Sequence, residues 1–251
     1  MPGTAPRTVL VTGAAGRLGR AACGELLRLG HRVRSFDRVA APLGESIVGD
    51  VADPAAIDAA LPGVDCLVHL AATPDDDDFA RRLLPDNILG LHAVIESARR
   101  AGTPRVVLAS SGQVNWTQQL AGPWPITPAA AISPRGWYAV TKVALEAAGA
   151  TLARDGHAAV IAIRLGWCPR TTAHREELAG SGYGPRVYLS PGDAGRLFVA
   201  AATHPVPVGY HLVFATSRPM GQPVFELESV GRLLDWTPRD TWPDGADDDL
   251  G

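Results

Sequence analysis

The segment WYAVTK, residues 137–142, contains the only lysine of the chain, whereas arginine stands at 22 positions. Tyr138 lies four residues before Lys142, and on a helix this spacing places both side chains on one face, one turn apart. A phenol titrates at about pH 10 in water, so Tyr138 needs a nearby cation to act as a base near neutral pH. A compact ammonium on a flexible stem suits that task better than a planar guanidinium. The pair therefore predicts proton-transfer chemistry rather than an ordinary exposed helix charge.

A hydroxyl that holds a substrate oxygen is predicted in the segment VVLASSGQV, where Ser110 and Ser111 end an apolar run. Ligands of open parallel sheets bind at the carboxyl ends of the strands. Serine pairs at strand ends also form turns, so the functional interpretation depends on the Tyr138–Lys142 pair.

A nucleotide site is predicted at TGAAGRLG, directly after the first apolar run, where glycines recur at three-residue spacing as Gly13, Gly16 and Gly19. At a strand-to-helix turn, missing side chains let the backbone approach a pyrophosphate, and the helix N-terminus faces its charge. A glycine triplet alone is a weak signal, since a tight turn chosen for packing has the same pattern.

Asp37, 18 residues after Gly19 at the end of the second predicted strand, strengthens the nucleotide interpretation. A carboxylate there accepts hydrogen bonds from ribose hydroxyls and repels a ribose phosphate, which favours NAD over NADP. Arg34 and Arg38 lie close enough in sequence to leave NADP as the less favoured alternative. Asp50, in GDVAD, is placed either to reach the adenine amino group or to serve as an ordinary loop acid.

Apolar runs that alternate with helical patterns predict a doubly wound parallel sheet of the Rossmann type, an α/β fold with a small C-terminal substrate lobe. The chain of 251 residues is long enough for one domain with a sizeable core, and 46% of it is hydrophobic. We assign 8–165 to an NAD-binding core, 166–240 to a substrate-binding lobe and 241–251 to a disordered tail. Strands are expected at 8–12, 32–36, 46–48, 65–70, 105–109, 158–164 and 210–215.

Helices are expected at 17–29, 54–60, 86–101, 134–154, 191–203 and 225–235. Three of them begin at a capping residue followed by proline, at Asp53-Pro54, Ser133-Pro134 and Ser190-Pro191. The segments 73–85 and 112–133 are predicted to be long loops, which in compact domains are usually functional or mobile.

Several classes of protein are disfavoured by composition. A net charge of −3 with scattered arginines predicts no nucleic-acid partner. The three cysteines are far apart and lack metal-ligand spacing, so neither a disulfide framework nor a zinc site is expected. No run of roughly 18 apolar residues occurs, which predicts a cytoplasmic protein without a membrane span. The acidic run Asp75 to Asp78 is taken as a solvated loop and His69 as a core residue.

Taken in order, TGAAGRLG, Asp37, GDVAD, VHLAA, DNILG, ASSGQV and YAVTK resemble the extended short-chain dehydrogenases/reductases, the NAD-dependent epimerase/dehydratase type. The resemblance spans residues 8 to about 170. It implies catalytic roles for Ser111, Tyr138, Lys142 and Asn87. It implies cofactor contacts from Gly13, Ala15, Gly16, Arg17, Leu18, Gly19, Asp37, Asp50, Val51, Leu70, Ala71, Ala72, Asn87, Tyr138 and Lys142.

Within this family, the late part of the chain is similar in layout to the uronate dehydrogenases, which oxidise an anomeric carbon with NAD. That likeness implies substrate contacts from Thr73, Ser111, Gly112, Gln113, Trp167 and Arg175. Arg175 falls where those enzymes hold the sugar carboxylate, although a surface pair with Glu176 or Glu177 explains it equally well. Gly112, Gln113 and Trp167 depart from the residues of those enzymes, which points to a less hydroxylated or differently shaped substrate.

The sequence thus predicts an NAD-dependent oxidoreductase acting on a small sugar acid or related alcohol, with a small-molecule partner. The family likeness also implies a homodimer through the helices at 86–101 and 134–154. A sugar epimerase or dehydratase that retains its NAD is the enzymatic alternative. A non-catalytic NAD(P)-sensing regulator is the alternative from another class, but it would have no need of a Tyr–Lys pair.

Overall fold

The computed structural model describes residues 5–248. Seven parallel strands form one sheet in the order β3-β2-β1-β4-β5-β6-β7, which confirms the doubly wound α/β fold. The strands are β1 (Thr8–Thr12), β2 (Arg32–Asp37), β3 (Glu45–Val48), β4 (Cys66–His69), β5 (Arg105–Ser111), β6 (Ala159–Leu165) and β7 (Gly209–Ala215). The strand order reverses between β1 and β4, and a crevice for ligands opens at such a point.

Helices cover both faces of the sheet. They are α1 (Arg17–Arg28), α2 (Pro54–Ala60), α3 (Gly90–Ala101), α4 (Trp116–Ala121), α5 (Gly136–Ala153), α6 (Thr172–Gly180), α7 (Gly184–Val187), α8 (Pro191–Thr203) and α9 (Glu228–Leu234). Alternate residues of β1 separate the two cores: Val9 and Val11 pack with α1 and α8, and Leu10 packs with α2, α3 and α5.

Two helices begin where their capping residues predict. The side chain of Asp53 accepts a hydrogen bond from the N–H of Ala55 at the start of α2, and Ser190 caps α8 in the same way. The third prediction is wrong by two residues, because α5 begins at Gly136. The hydroxyl of Ser133 instead accepts a hydrogen bond from the N–H of Thr117, in the segment that precedes α5.

The two predicted loops contain helical structure. A π-helical segment, Phe79–Leu89, runs directly into α3. Its first turn is capped by the side chain of Asp78, and it contains Pro85. Proline disrupts an α-helix, and the predicted helix begins only after Pro85, at residue 86. In the structure the N–H of Leu83 donates to the carbonyl of Asp78 five residues back, as in a π-helix. In the second loop, a 3₁₀ turn at Gly112–Asn115 leads into α4.

The segment 166–240 contributes to the core as well as to the lobe. β7 is the edge strand of the sheet, and α8 packs against the face that α1 covers. Residues 241–248, which we expected to be disordered, form turns against the lobe. The hydroxyl of Tyr188 donates to the carbonyl of Asp244 at 2.7 Å, and Arg17 donates to the carbonyls of Gly245 and Ala246. Buried polar contacts of this kind are not visible in the Asp- and Gly-rich composition. The rest of the predicted tail, 249–251, lies outside the described residues.

Between residues 5 and 248 no helix is both long and apolar enough to cross a membrane. In the same range no three His, Cys, Asp or Glu side chains come together as metal ligands would.

Candidate active site

One cavity of about 410 Å³ opens at the carboxyl ends of the strands from β1 to β6. This volume lies within the range of small-molecule sites, roughly 300–1,000 Å³. The predicted residues that line it are Gly13, Gly16, Arg17, Leu18, Gly19, Asp37, Val51, Leu70, Ala71, Ala72, Thr73, Ser111, Tyr138 and Lys142. Both the predicted nucleotide end and the predicted catalytic end therefore belong to one site.

The glycine-rich turn has no room for a side chain at Gly13 or Gly19. Gly13 adopts φ +72, which favours glycine, and a Cβ on it would lie 2.7 Å from the backbone nitrogen of Ala71. A Cβ on Gly19 would lie only 2.1 Å from the carbonyl oxygen of Gly13. Gly16 precedes α1 without a side-chain cap, so the first N–H groups of the helix have no side-chain acceptor there. The turn therefore fits a cofactor pyrophosphate.

Asp37 lines the cavity at the end of β2, where one carboxylate oxygen accepts a hydrogen bond from the N–H of Ala15 at 2.9 Å. The two nearby arginines have other partners. Arg34 donates to the carbonyls of Ala60 and Pro62. With its guanidinium held there, Arg34 does not lie among the residues that line the cavity.

Arg38 lines the cavity but is paired with two carboxylates, Asp86 and Asp50. Asp50 pairs with it at 3.3 Å and also accepts from the N–H of Ala52, so its side chain is turned to the loop and does not line the cavity. Of the two predicted neighbours, Val51 therefore lines the cavity and Asp50 does not.

The catalytic candidates meet at the ends of β5 and α5. Ser111 is buried, its oxygen accepts from the N–H of Gln113 at 3.1 Å, and it lines the same cavity as Tyr138. Lys142 lies one turn after Tyr138 and is only 5% exposed. Its Nζ donates to the carbonyl of Ala109 at 2.9 Å and lies 5.5 Å from the centre of the Tyr138 ring.

Burial perturbs both titrating groups of this pair. It raises the pKa of Tyr138 to about 12, with a further rise from Asp75, while Arg170 and the hydroxyl of Ser111 lower that pKa. Burial also lowers the pKa of Lys142 to about 8. Each group is thus held in surroundings that penalise its charged form, and the phenolate and the ammonium are the charges that offset one another.

A buried ion pair behind the site holds its elements together. Glu146, one turn after Lys142 on α5, binds Arg164 of β6 through two hydrogen bonds of 2.8 Å. Glu146 also accepts from the hydroxyl of Ser110 at 2.6 Å. Adjacent strand residues point in opposite directions. The hydroxyl of Ser110 is therefore bound to Glu146, and that of Ser111 is on the side of Tyr138.

Asn87 does not line the cavity. Its side chain is buried in the π-helical segment, where it accepts from the N–H of Thr73 at 2.8 Å and donates to the carbonyl of Thr73 and to the hydroxyl of Thr141. It borders only a void of about 10 Å³ beside Lys142. The structure therefore places Asn87 as a support of the loop after β4 and not at the cavity surface.

Four of the six predicted substrate residues are not at the cavity. Gly112 packs against Phe225, since a Cβ there would lie 2.6 Å from its ring, and Gln113 follows it in the 3₁₀ turn. The indole of Trp167 packs on Tyr183 with ring centres 6.1 Å apart. These three were selected by sequence position, but the directions of their side chains depend on the lobe that packs behind them.

Arg175 is the fourth of these residues. Its guanidinium lies 2.8 Å from a carboxylate oxygen of Asp247, a residue of the segment that we had expected to be disordered. Arg170 lines the cavity in its place, beside Ser111 and Tyr138. The sequence offered no motif for Arg170, only its position five residues after the end of β6.

Arg38 and Ser110, which the sequence analysis considered, also line the cavity. The other lining residues, which the sequence did not indicate, come from strand ends, loops and the π-helical segment. They are Gly49, Pro74, Arg82, Asp86, Ala109, Leu165, Gly166, Cys168 and Arg170. Several of them follow directly after a strand. Their position at the carboxyl end of a parallel strand, where ligands bind, is the feature of the sequence that could have predicted them.

A glycine-rich dinucleotide turn and a Ser, Tyr and Lys group in one cavity define an NAD-dependent dehydrogenase/reductase of the Rossmann type. The model of the NAD-dependent epimerase/dehydratase family matches residues 9–167. The chain belongs to this family, and it is an NAD-dependent short-chain dehydrogenase/reductase, as the sequence motifs predicted.

Two curated relatives extend the comparison. L-arabinose 1-dehydrogenase (NAD(P)(+)) of Haloferax volcanii is 30% identical over 249 residues, 92% of this chain and 96% of that protein. Uronate dehydrogenase of Agrobacterium fabrum is 37% identical over 143 residues, 54% of this chain and 52% of that protein. The chain is thus similar to sugar and sugar-acid dehydrogenases.

A solved structure shows the same architecture. The crystal structure of uronate dehydrogenase from Agrobacterium tumefaciens matches with a TM-score of 0.76 at 28% identity, over 94% of this chain and 86% of that one. The likeness therefore includes the C-terminal lobe and not only the nucleotide-binding part.

Proposed function

We propose that this enzyme oxidises the anomeric hydroxyl of a small sugar or sugar acid to a lactone, with NAD as the hydride acceptor. The observation that carries the proposal is that Ser111, Tyr138 and buried Lys142 line the same cavity as the glycine-rich turn. The likeness to an arabinose dehydrogenase and a uronate dehydrogenase supports a sugar or a uronate as the substrate.

In this proposal the hydroxyls of Ser111 and Tyr138 hold the substrate oxygen. Tyr138 removes the proton of the substrate hydroxyl, which requires that its phenol be deprotonated first. Lys142 stabilises the phenolate, since its ammonium is buried close to the ring and has little water to screen it. NAD held in this cavity would supply the hydride acceptor. The C–H bond of the anomeric carbon would break with loss of a hydride, the O–H bond with loss of a proton to Tyr138, and the electron pair left on oxygen would form the lactone carbonyl.

The cofactor would lie along the strand ends from β2 to β5. Asp37 would accept from the ribose hydroxyls at one end, and Gly13, Gly16 and Gly19 would admit the pyrophosphate. The ammonium of Lys142 lies at the end of β5, bound to the carbonyl of Ala109. From there it would reach the hydroxyls of the ribose that carries the nicotinamide. Two features favour NAD over NADP: the carboxylate of Asp37 would repel a ribose phosphate, and Arg38, which could bind one, is paired with Asp86.

The oligomer and the compartment belong to the same proposal. We place a homodimer at the π-helical segment, α3 and α5, where the apolar side chains of Leu89, Trp137 and Val140 are exposed. We place the enzyme in the cytoplasm, consistent with three free cysteines among the described residues. Light scattering of the purified protein tests the dimer, and a monomeric mass at micromolar concentration would contradict it. A nucleic-acid partner is not proposed.

The test is the rise in absorbance of NADH when the protein is mixed with NAD and a panel of aldoses, uronates and simple secondary alcohols. Tyr138→Phe should reduce turnover by about 10²–10⁴-fold, the range of general-base catalysis, with NAD binding retained. Unchanged turnover in this variant would contradict the role of Tyr138. An epimerase or dehydratase would give no net NADH and would copurify with its cofactor, and a regulator would bind NAD without turnover.

A further inference from the structure

The end of the cavity near Tyr138 contains an arginine, Arg170, whose positive charge is paired with a carboxylate of the protein. Arg170 lines the cavity beside Ser111 and Tyr138, and its guanidinium donates to the carboxylate of Asp75. Asp75 raises the pKa of Tyr138 and Arg170 lowers it, so both charges act directly on the phenol. The pair therefore stands at the reacting end of the site.

Asp75 is held in place by its loop. It adopts φ +61, a left-handed conformation that a non-glycine residue rarely takes and that surrounding contacts must maintain. The next residue, Asp76, accepts a hydrogen bond from the N–H of Tyr138 at 2.7 Å and packs against Gly136. The loop is thus attached to the first turn of α5, which also carries Tyr138.

The charge of this end is close to balanced. His174 lies 3.9 Å from the carboxylate of Asp75 and adds a positive charge only when it is protonated. Arg175, the other candidate for holding a substrate carboxylate, is paired with Asp247 away from the cavity. A carboxylate entering the site would therefore meet an arginine that shares its charge with Asp75.

We propose that the Arg170–Asp75 pair makes this enzyme select neutral aldoses over the uronates of the same ring configuration. The inference rests on the proposed function and names its substrate class. A substrate carboxylate bound to Arg170 would lie near the carboxylate of Asp75, because both would contact one guanidinium, and like charges repel. A hydrogen or hydroxymethyl group meets no such repulsion, and a hydroxyl can accept from an N–H that Asp75 leaves free.

The experiment uses two series of sugars that differ only in the substituent on C5. One series is L-arabinose, D-galactose and D-galacturonate, and the other is D-xylose, D-glucose and D-glucuronate, with hydrogen, hydroxymethyl and carboxylate in turn. NADH formation gives kcat/KM for each sugar, and the ratio of neutral sugar to uronate cancels general losses of activity. In the wild type we expect this ratio to be about tenfold or more, the effect of one hydrogen bond to a charged group.

Two substitutions should move the ratio in opposite directions. Asp75→Asn leaves Arg170 with its full charge and should improve the uronate about tenfold relative to the neutral sugar. Arg170→Met leaves Asp75 without its partner and should worsen the uronate further. If one variant does not fold, the other still tests the pair. Asp247→Asn and Arg175→Met are matched controls on an Arg–Asp pair outside the cavity, and neither should change the ratio.

The outcomes separate the two proposals. A wild-type preference for the uronate that Asp75→Asn leaves unchanged overturns the selection but leaves sugar oxidation standing. Loss of uronate oxidation in Arg175→Met also overturns it, since Arg175 would then hold the carboxylate. No NADH with any sugar, with NAD still bound, refutes the proposed function and the selection together.

Discussion

Replacing Lys142 by Met should move the pH dependence of sugar oxidation to higher pH. The Nζ of Lys142 lies 5.5 Å from the ring centre of Tyr138, and at an effective dielectric constant of about 20 two unit charges at that separation interact with about 3 kcal/mol. This corresponds to about two pKa units. Lys142 is 5% exposed, so solvent screens the interaction little.

The sign follows from the form of Tyr138 that is active. The phenolate accepts the substrate proton, so the rate rises with pH through the pKa of the phenol. Removing the ammonium destabilises the phenolate, raises the pKa of Tyr138 and shifts the rising limb to higher pH by about two units. At pH 7 the ammonium is mostly protonated, because its pKa, although lowered by burial, is about 8.

The assay is kcat/KM for the best sugar between pH 5 and about 10 with saturating NAD. Burial raises the pKa of Tyr138 to about 12, and the positive nicotinamide of bound NAD would lower it towards this range. Lys142→Arg is the matched variant: it keeps the positive charge but replaces the amine that donates to the carbonyl of Ala109. The rising limb of its pH–rate profile should stay at the pH of the wild-type limb, even if its overall rate is lower. If Lys142→Met loses activity with its limb unmoved, Lys142 acts by holding the structure or the cofactor, and the electrostatic argument fails.

Two further predictions concern the nucleotide end. Gly19→Ala places a Cβ 2.1 Å from the carbonyl oxygen of Gly13, so α1 must shift, and both NAD affinity and the melting temperature should fall. Gly24→Ala in the same helix meets only a side-chain carbon at 3.6 Å and is the control; equal losses in both variants, by calorimetry and thermal unfolding, would refute the steric argument. Asp37→Ser removes the carboxylate that repels a ribose phosphate, so the ratio of kcat/KM for NADP to that for NAD should rise about tenfold or more. An unchanged ratio would mean that Asp37 does not face the ribose.

Local patterns in the sequence predicted most of the regular elements. Apolar runs predicted the central strands β1, β4, β5 and β6, since a strand buried on both faces has no polar alternation. Asp53-Pro54 and Ser190-Pro191 marked the starts of α2 and α8, because a side-chain cap and a fixed φ act within a few residues. The π-helical segment escaped prediction because Pro85 signals the end of an α-helix and not a wider turn.

The sequence by itself determined the fold class, the glycine turn and the Tyr138–Lys142 pair. These features depend on short spacings that a single helix or strand end converts directly into geometry. The pair is four residues apart on α5, so no distant contact is needed to bring its side chains onto one face.

The tertiary structure alone decided which of two neighbouring arginines lines the cavity. Arg170 and Arg175 are five positions apart, yet one lines the cavity with Asp75 and the other turns away to Asp247. Those partners lie 95 and 72 residues away in sequence, counted along the chain. The direction of a long, flexible side chain is set by whichever charge the folded chain brings beside it, and no local pattern records that choice.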